Sequence, residues 1–218
     1  MSFKTAIVDF FFPPKCVFCR SLAKDGLCPA CRASLPYTEE KAVQTEESGL
    51  RTAAPLYYEG TVRDSLLRFK FNEKFVYAKT FGYLMAECAA EHFSGEFDLV
   101  SFVPVSAKRK RERGYDQAQL LAEAMAAYWD TVAVPTLCKT VDTPRQSGLK
   151  KDYERRANVL GVYTAVDPER FSGKRILLVD DIRTTGSTMS EAARTLRLAG
   201  AKAVIGLTLA QRRPEKGK

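Results

Sequence analysis

The chain has 218 residues, 45% of them apolar and 28% charged, with a formal net charge of +8. That length buries one good core plus a small appendage, and the composition is that of an ordinary globular chain without low-complexity tracts or internal repeats. No stretch is apolar enough to span a bilayer, and the absence of a GxxxxGK[ST] loop argues against an ATP-driven motor.

Residues Phe3 to Phe12 are apolar, but Lys4, Asp9 and the Pro13-Pro14 pair interrupt them, and no small-residue cleavage pattern follows. They read as a short helix packing on the core, and a cytoplasmic location is expected. Four of the six cysteines then form two knuckles, Cys16-x-x-Cys19 and Cys28-x-x-Cys31. Each knuckle can aim two thiolates at one point, and two of them complete a tetrahedral sulphur shell for Zn²⁺. Two disulfides are disfavoured in a cytosolic chain, and a redox pair would need only one such knuckle. A shell of four ligands leaves no open position, so structural zinc is expected to fold the module without doing chemistry. Lys15, Arg20, Lys24 and Arg32 flank the ligands and offset part of the thiolate charge. The remaining cysteines, Cys88 and Cys138, read as core residues, and the single histidine, His92, as a surface one.

After this module (1–37), the polar and acidic stretch from Thr38 to Ser48 has no apolar period and reads as an exposed connection, giving a linker at 38–52 ahead of a main domain at 53–218. Ala53 to Tyr58 is a plausible strand. Helices fit Val62 to Phe69 and Phe75 to His92, where Tyr77, Phe81, Leu84, Met85, Cys88 and Ala89 line one side. Leu99 to Val105 is a buried strand, Gln117 to Trp129 an amphipathic helix, and Val132 to Leu137 a further strand. An irregular polar segment from Lys139 to Val159 follows, and Ala203 to Leu209 closes the chain as a strand. Strands alternating with helices predict an α/β fold with a parallel sheet covered on both faces.

The most informative run is ILLVDDIRTTGST, from Ile176 to Thr188. Ile176 to Val179 read as a buried parallel strand that brings Asp180 and Asp181 to its carboxyl end, where open α/β sheets bind ligands. The turn from Thr184 to Thr188 offers hydroxyls and backbone N–H groups just ahead of a helix N-terminus, which favours a phosphate. The helix is marked by Met189, Ala192, Ala193, Leu196 and Ala199 on one face, with Gly200 as terminator. Two adjacent carboxylates repel unless a partner with several donors, or a cation, sits between them; ribose hydroxyls would serve. Arg183, inside the run, reads as a solvated loop charge.

This run resembles the PRPP-binding motif of type I phosphoribosyltransferases. The resemblance implies that Asp180 and Asp181 hold the ribose hydroxyls and that Thr184, Thr185, Gly186, Ser187 and Thr188 cradle the 5′-phosphate. A wider likeness covers nearly the whole chain. PVSAKRKRERGYDQAQLLA (Pro104 to Ala122), RQSGLKKDYERRANV (Arg145 to Val159), the PRPP motif and the paired CxxC knuckles, in this order, are similar to the competence protein ComF family. Membership implies a type I phosphoribosyltransferase-like parallel sheet flanked by helices with a small N-terminal zinc finger, and a role in taking up single-stranded DNA during natural transformation beside a helicase or ATPase partner. Some relatives carry metabolic roles instead.

If PRPP binds, its pyrophosphate needs cations and amides. Lys108, Arg109, Lys110, Arg111 and Arg113 against Glu112 give +4 within six residues, directly after a strand at the same sheet edge as the acid pair. From this run Arg109, Arg111, Arg113 and Gly114 are placed to meet the pyrophosphate, with Lys108 at the edge. Mg²⁺ would bridge pyrophosphate and ribose hydroxyls, held through ligand oxygens and waters more than by a protein cage. Arg145, Lys150, Lys151, Arg155 and Arg156 fit a mobile active-site loop. No hood element or base-recognition motif is legible, so the sequence assigns no acceptor and no catalytic residue. Two further classes remain beside a PRPP-binding competence protein. One is a single-stranded nucleic-acid module, using the basic flanks with Phe18, Tyr115 and Tyr153 as stacking rings. The other is a nucleotide-salvage transferase moving phosphoribose from PRPP to an unidentified acceptor.

Overall fold

The computed structural model describes residues 14–70, 74–140 and 161–214. The expected N-terminal helix, the ring of Tyr153 and the basic segment from Arg145 to Arg156 lie outside the described residues. In chain order the elements are α1 (Pro29–Ser34), β1 (Val43–Thr45), β2 (Arg51–Ala53), β3 (Leu56–Tyr57), α2 (Gly60–Phe69), α3 (Lys74–Phe93), β4 (Leu99–Phe102), α4 (Ala107–Arg113), α5 (Gln117–Tyr128), β5 (Leu137–Lys139), β6 (Tyr163–Ala165), β7 (Arg175–Arg183), α6 (Ser187–Leu198) and β8 (Ala203–Gln211).

The main sheet runs β1-β2-β8-β7-β4, with β3 also pairing β8. Every ladder except the β1–β2 edge is parallel. Alternation along β7 sends Leu177 and Val179 into a core shared with α2, α3 and α5, and Ile176 and Leu178 into a second core with α6. All four of these side chains are fully buried, as a parallel strand covered on both faces requires. Helices α3 and α5 approach to backbone contact at Gly82, where an added Cβ would stand 2.7 Å from the Ala124 Cβ and 2.9 Å from the Met125 nitrogen. A side chain there would push the two helices apart. Among the described residues no helix is long and apolar enough to cross a membrane.

The α/β architecture with a covered parallel sheet agrees with the sequence pattern. Four local expectations are corrected. The acidic stretch from Thr38 to Ser48 contains a 3₁₀ turn and β1, which pairs with β2 through Val43 opposite Ala53. Cys138 is exposed on β5, whereas Cys88 is in the core as expected. Val132 to Leu137 forms one bridge, Ala133 to Val100, and the strand starts only at Leu137. Phe18 and Tyr115, expected as stacking rings, pack inside against Phe81 and Phe69 and present no face to a nucleobase.

Candidate functional site

Strand β7 delivers the acid pair. Its register with β4 ends at Phe102 opposite Val179, so the loop leading into α4 starts beside Asp180 while β7 runs on to Arg183. Asp180 accepts from the backbone N–H of Asp181 at 2.8 Å. Burial, and then the charge of Asp181, push the Asp180 carboxyl well above the usual carboxylate range. Asp181 pairs with Lys70 at the C-cap of α2, Nζ to carboxylate 3.1 Å, and this raises the lysine's affinity for its proton.

The turn that follows enters α6 through Gly186, whose φ of +73° belongs to the left-handed region. An added Cβ there would also collide with the carboxylate of Glu46. Glu46 lies in the β1–β2 turn, accepts from the Thr52 hydroxyl at 3.0 Å and pairs with Arg183. Arg183 is therefore a largely buried partner beneath the Thr184–Thr188 turn, not the solvated loop charge read from the sequence. The Thr185 and Ser187 hydroxyls meet at 2.8 Å, and Thr184 and Thr188 face the opening above Asp180 and Asp181.

The basic run forms α4. Ser106 caps it by accepting from the Arg109 N–H, and Gly114, at φ +76°, ends it. One helix face presents Arg109 and Arg113 to the acid pair across a cleft of about 310 Å³. Lys108, Lys110 and Arg111 are exposed and do not line that cleft, and Gly114 serves as helix terminator. Asp116 caps α5 and accepts from the N–H groups of Val105 (2.8 Å) and Gln119 (3.2 Å), fixing both ends of the loop and helix that carry the arginines. Its burial pushes its carboxyl upward.

The cleft gathers residues that sequence reasoning missed. Lys70, Gln117, Lys139, Tyr163, Tyr58 and Arg212 all line it. Lys139 and Tyr163 come from the β5–β6 ribbon, with the lysine Nζ 5.6 Å from the ring centre. Gln117 accepts from Arg113 at 2.8 Å and keeps its Nε2 without a partner among the described residues. Within the basic run, the i, i+4 spacing of Arg109 and Arg113 is the signal that places that pair, and not its neighbours, on the cleft face of the helix.

A second cluster lies apart from the cleft. The sulphurs of Cys16, Cys19, Cys28 and Cys31 lie within 4.8 Å of one another, with Cys19 and Cys28 3.6 Å apart. Zn–S bonds of about 2.3 Å in a tetrahedron set sulphur–sulphur edges near ~3.8 Å, so the four thiols fit a zinc ion. Hydrogen bonds from Ser21 pull the Cys19 thiol down to about 6, while burial pushes the Cys31 thiol up. Among the described residues this is the one group of three or more such ligands.

The phosphoribosyl transferase domain model matches residues 90–218, more than half of the chain. The chain belongs to the phosphoribosyl transferase domain family. A double zinc ribbon domain model matches residues 7–43, which hold the cysteine cluster ahead of the phosphoribosyl transferase domain. Over most of its length the chain is similar to competence proteins of the ComF/ComFC type. It is 28% identical over 219 residues to competence protein F of Haemophilus influenzae, covering 89% of this chain and 95% of that one. It is 29% identical to competence protein ComFC of Streptococcus pneumoniae over 84% of this chain and 79% of the relative. Among solved structures, an allosteric regulatory enzyme of purine biosynthesis is 25% identical with a TM-score of 0.41, over 61% of this chain and 25% of that one.

Proposed function

We propose that the cleft binds PRPP with Mg²⁺, and that the chain acts in a ComF-type role on single-stranded DNA taken up during natural transformation, in the cytoplasm. The observation that carries the reading is the meeting of three groups in one cleft: an acid pair, a hydroxyl-rich turn at a helix N-terminus and two arginines. In this reading Asp180 and Asp181 accept from the ribose hydroxyls, and Thr184 to Thr188 receive the 5′-phosphate. Arg109 and Arg113 meet the pyrophosphate, Mg²⁺ is held mainly by ligand oxygens, and zinc fills the four-cysteine shell. The outward cations of α4, Lys108, Lys110 and Arg111, would face a polyanion such as single-stranded DNA. Strand movement would be driven by a separate ATPase.

The test is calorimetry of the full chain with PRPP and Mg²⁺, against the Asp180→Asn, Asp181→Asn variant. Saturable, Mg²⁺-dependent heat in the intact chain and none in the variant is expected; equal heats would remove the reading. Release of pyrophosphate on adding a free purine or pyrimidine would move the assignment to a salvage transferase.

A further inference from the structure

The C-terminal end of α2 fastens three parts of the molecule within three residues. Arg68 reaches the cysteine module, its guanidinium donating to the carbonyls of Val17 (2.9 Å) and Phe18 (2.8 Å), the two residues between the first pair of cysteines. Its Nε donates to the Tyr77 hydroxyl at 3.0 Å. Phe69 is fully buried against the rings of Tyr77, Phe81 and Tyr115, and its carbonyl accepts from the Tyr115 hydroxyl, on the loop that joins α4 to α5. Lys70 then stands in the cleft on Asp181. The module also packs on this end of α2 through Ser65, whose hydroxyl donates to the Val17 carbonyl at 2.6 Å. A guanidinium spent on two backbone carbonyls gains no ion pair, so what it fixes is position.

We infer that Lys70 contacts the bound phosphoribosyl ligand and that Arg68 is its positioning residue, so that the cysteine module holds α2 in place for the grip on PRPP. This rests on the PRPP reading of the cleft. The charge balance gives the sign. Two adjacent carboxylates repel an anionic ligand, and PRPP remains an anion when it carries Mg²⁺. Lys70 offsets one of these charges and keeps two ammonium donors for ligand oxygens after the one that Asp181 takes. With Lys70 removed, an anion meets an anion, and ligand affinity falls. A lysine that merely plugged the acid pair would act the other way, and its removal would tighten binding.

The experiment is a double-mutant cycle of Arg68→Met and Lys70→Met on the zinc-loaded full chain, read by calorimetry with PRPP and Mg²⁺, with Lys70→Arg as the conservative control. Lys70→Met weakens binding roughly tenfold or more, as loss of a desolvated charge partner does, and Lys70→Arg restores most of it. Arg68→Met weakens binding about fivefold or more, in the range of ordinary site-to-site coupling. In the Lys70→Met background Arg68→Met has no further effect on affinity, whereas the losses of melting temperature add. Metal analysis returns one zinc per chain in all of them. Should Arg68→Met fail to fold, Arg68→Lys, which keeps a donor without the forked reach to two carbonyls, takes its place. Unchanged or tighter binding in Lys70→Met, or an equal effect of Arg68→Met in both backgrounds, overturns the inference while the PRPP reading stands. No binding by the intact chain overturns both.

Discussion

Asp180 sits where β7 leaves the core, and its carboxyl resists ionisation because burial and the neighbouring Asp181 charge both penalise the anion. A carboxyl whose folded value lies above its unfolded one contributes stability at acid pH that is lost as the pH rises through the folded value. Above the ordinary carboxylate range Asp180 therefore costs stability, a cost that the proposed ribose contact would explain. Asp180→Asn keeps an oxygen for the Asp181 N–H and cannot ionise. Thermal melts from pH 4 to pH 8 should show this variant more stable than the parent at neutral pH, with the gap closing as the pH falls towards the ordinary carboxylate range. The same substitution should abolish PRPP binding. A variant less stable than the parent at neutral pH would show that the carboxylate is stabilised by partners that outweigh its burial.

At the level of elements, the β1–β2 ribbon braces the Thr184–Thr188 turn from behind, through Glu46 against Gly186 and Arg183. The Arg183 side chain is 12% exposed and that of Glu46 7%, so removing one partner strands a buried charge. Glu46→Ala should cost roughly 3 kcal/mol in urea unfolding, and Glu46→Met combined with Arg183→Met should recover most of that. A loss within about 0.5 kcal/mol for the single variant, the range of ordinary surface substitutions, would mean that the pair braces nothing. This ribbon was illegible in the sequence because its strands are three residues long and mostly polar, too short for an alternating pattern to register. The contrast with β7 is instructive. Ile176 to Thr188 carries strand, acids, turn and helix start in one uninterrupted run, so local patterning was enough to locate them. Lys70, Lys139, Tyr163 and Arg212 each come from a different element and meet only after the parallel crossovers close. None carries a local signature. Arg109 and Arg113 fall between these cases, since a charge run shows its cations but only the helical period shows which of them face inward.

For the whole molecule, a net charge of +8 does not specify a partner, because cations inside the cleft are committed to whatever lies there. The fold separates the two populations on a single helix: Arg109 and Arg113 face the acid pair, while Lys108, Lys110 and Arg111 face outward. If the outward set holds single-stranded DNA, the logarithm of affinity should fall linearly with the logarithm of salt concentration, with a slope of about −0.7 per phosphate neutralised. Replacing Lys108 and Arg111 together by glutamine should then flatten the slope by about 1.4 and weaken DNA binding, as removal of two phosphate contacts requires. PRPP affinity should hardly change, because neither side chain lines the cleft. Asp180→Asn with Asp181→Asn should do the reverse, removing PRPP binding and leaving the salt slope intact. Fluorescence anisotropy with a labelled oligonucleotide over a salt series, alongside PRPP calorimetry on the intact chain and the two double variants, separates these effects. A loss of PRPP affinity in the glutamine variant would place Lys108 and Arg111 on the pyrophosphate, leaving the helix no cations of its own for DNA beyond Lys110.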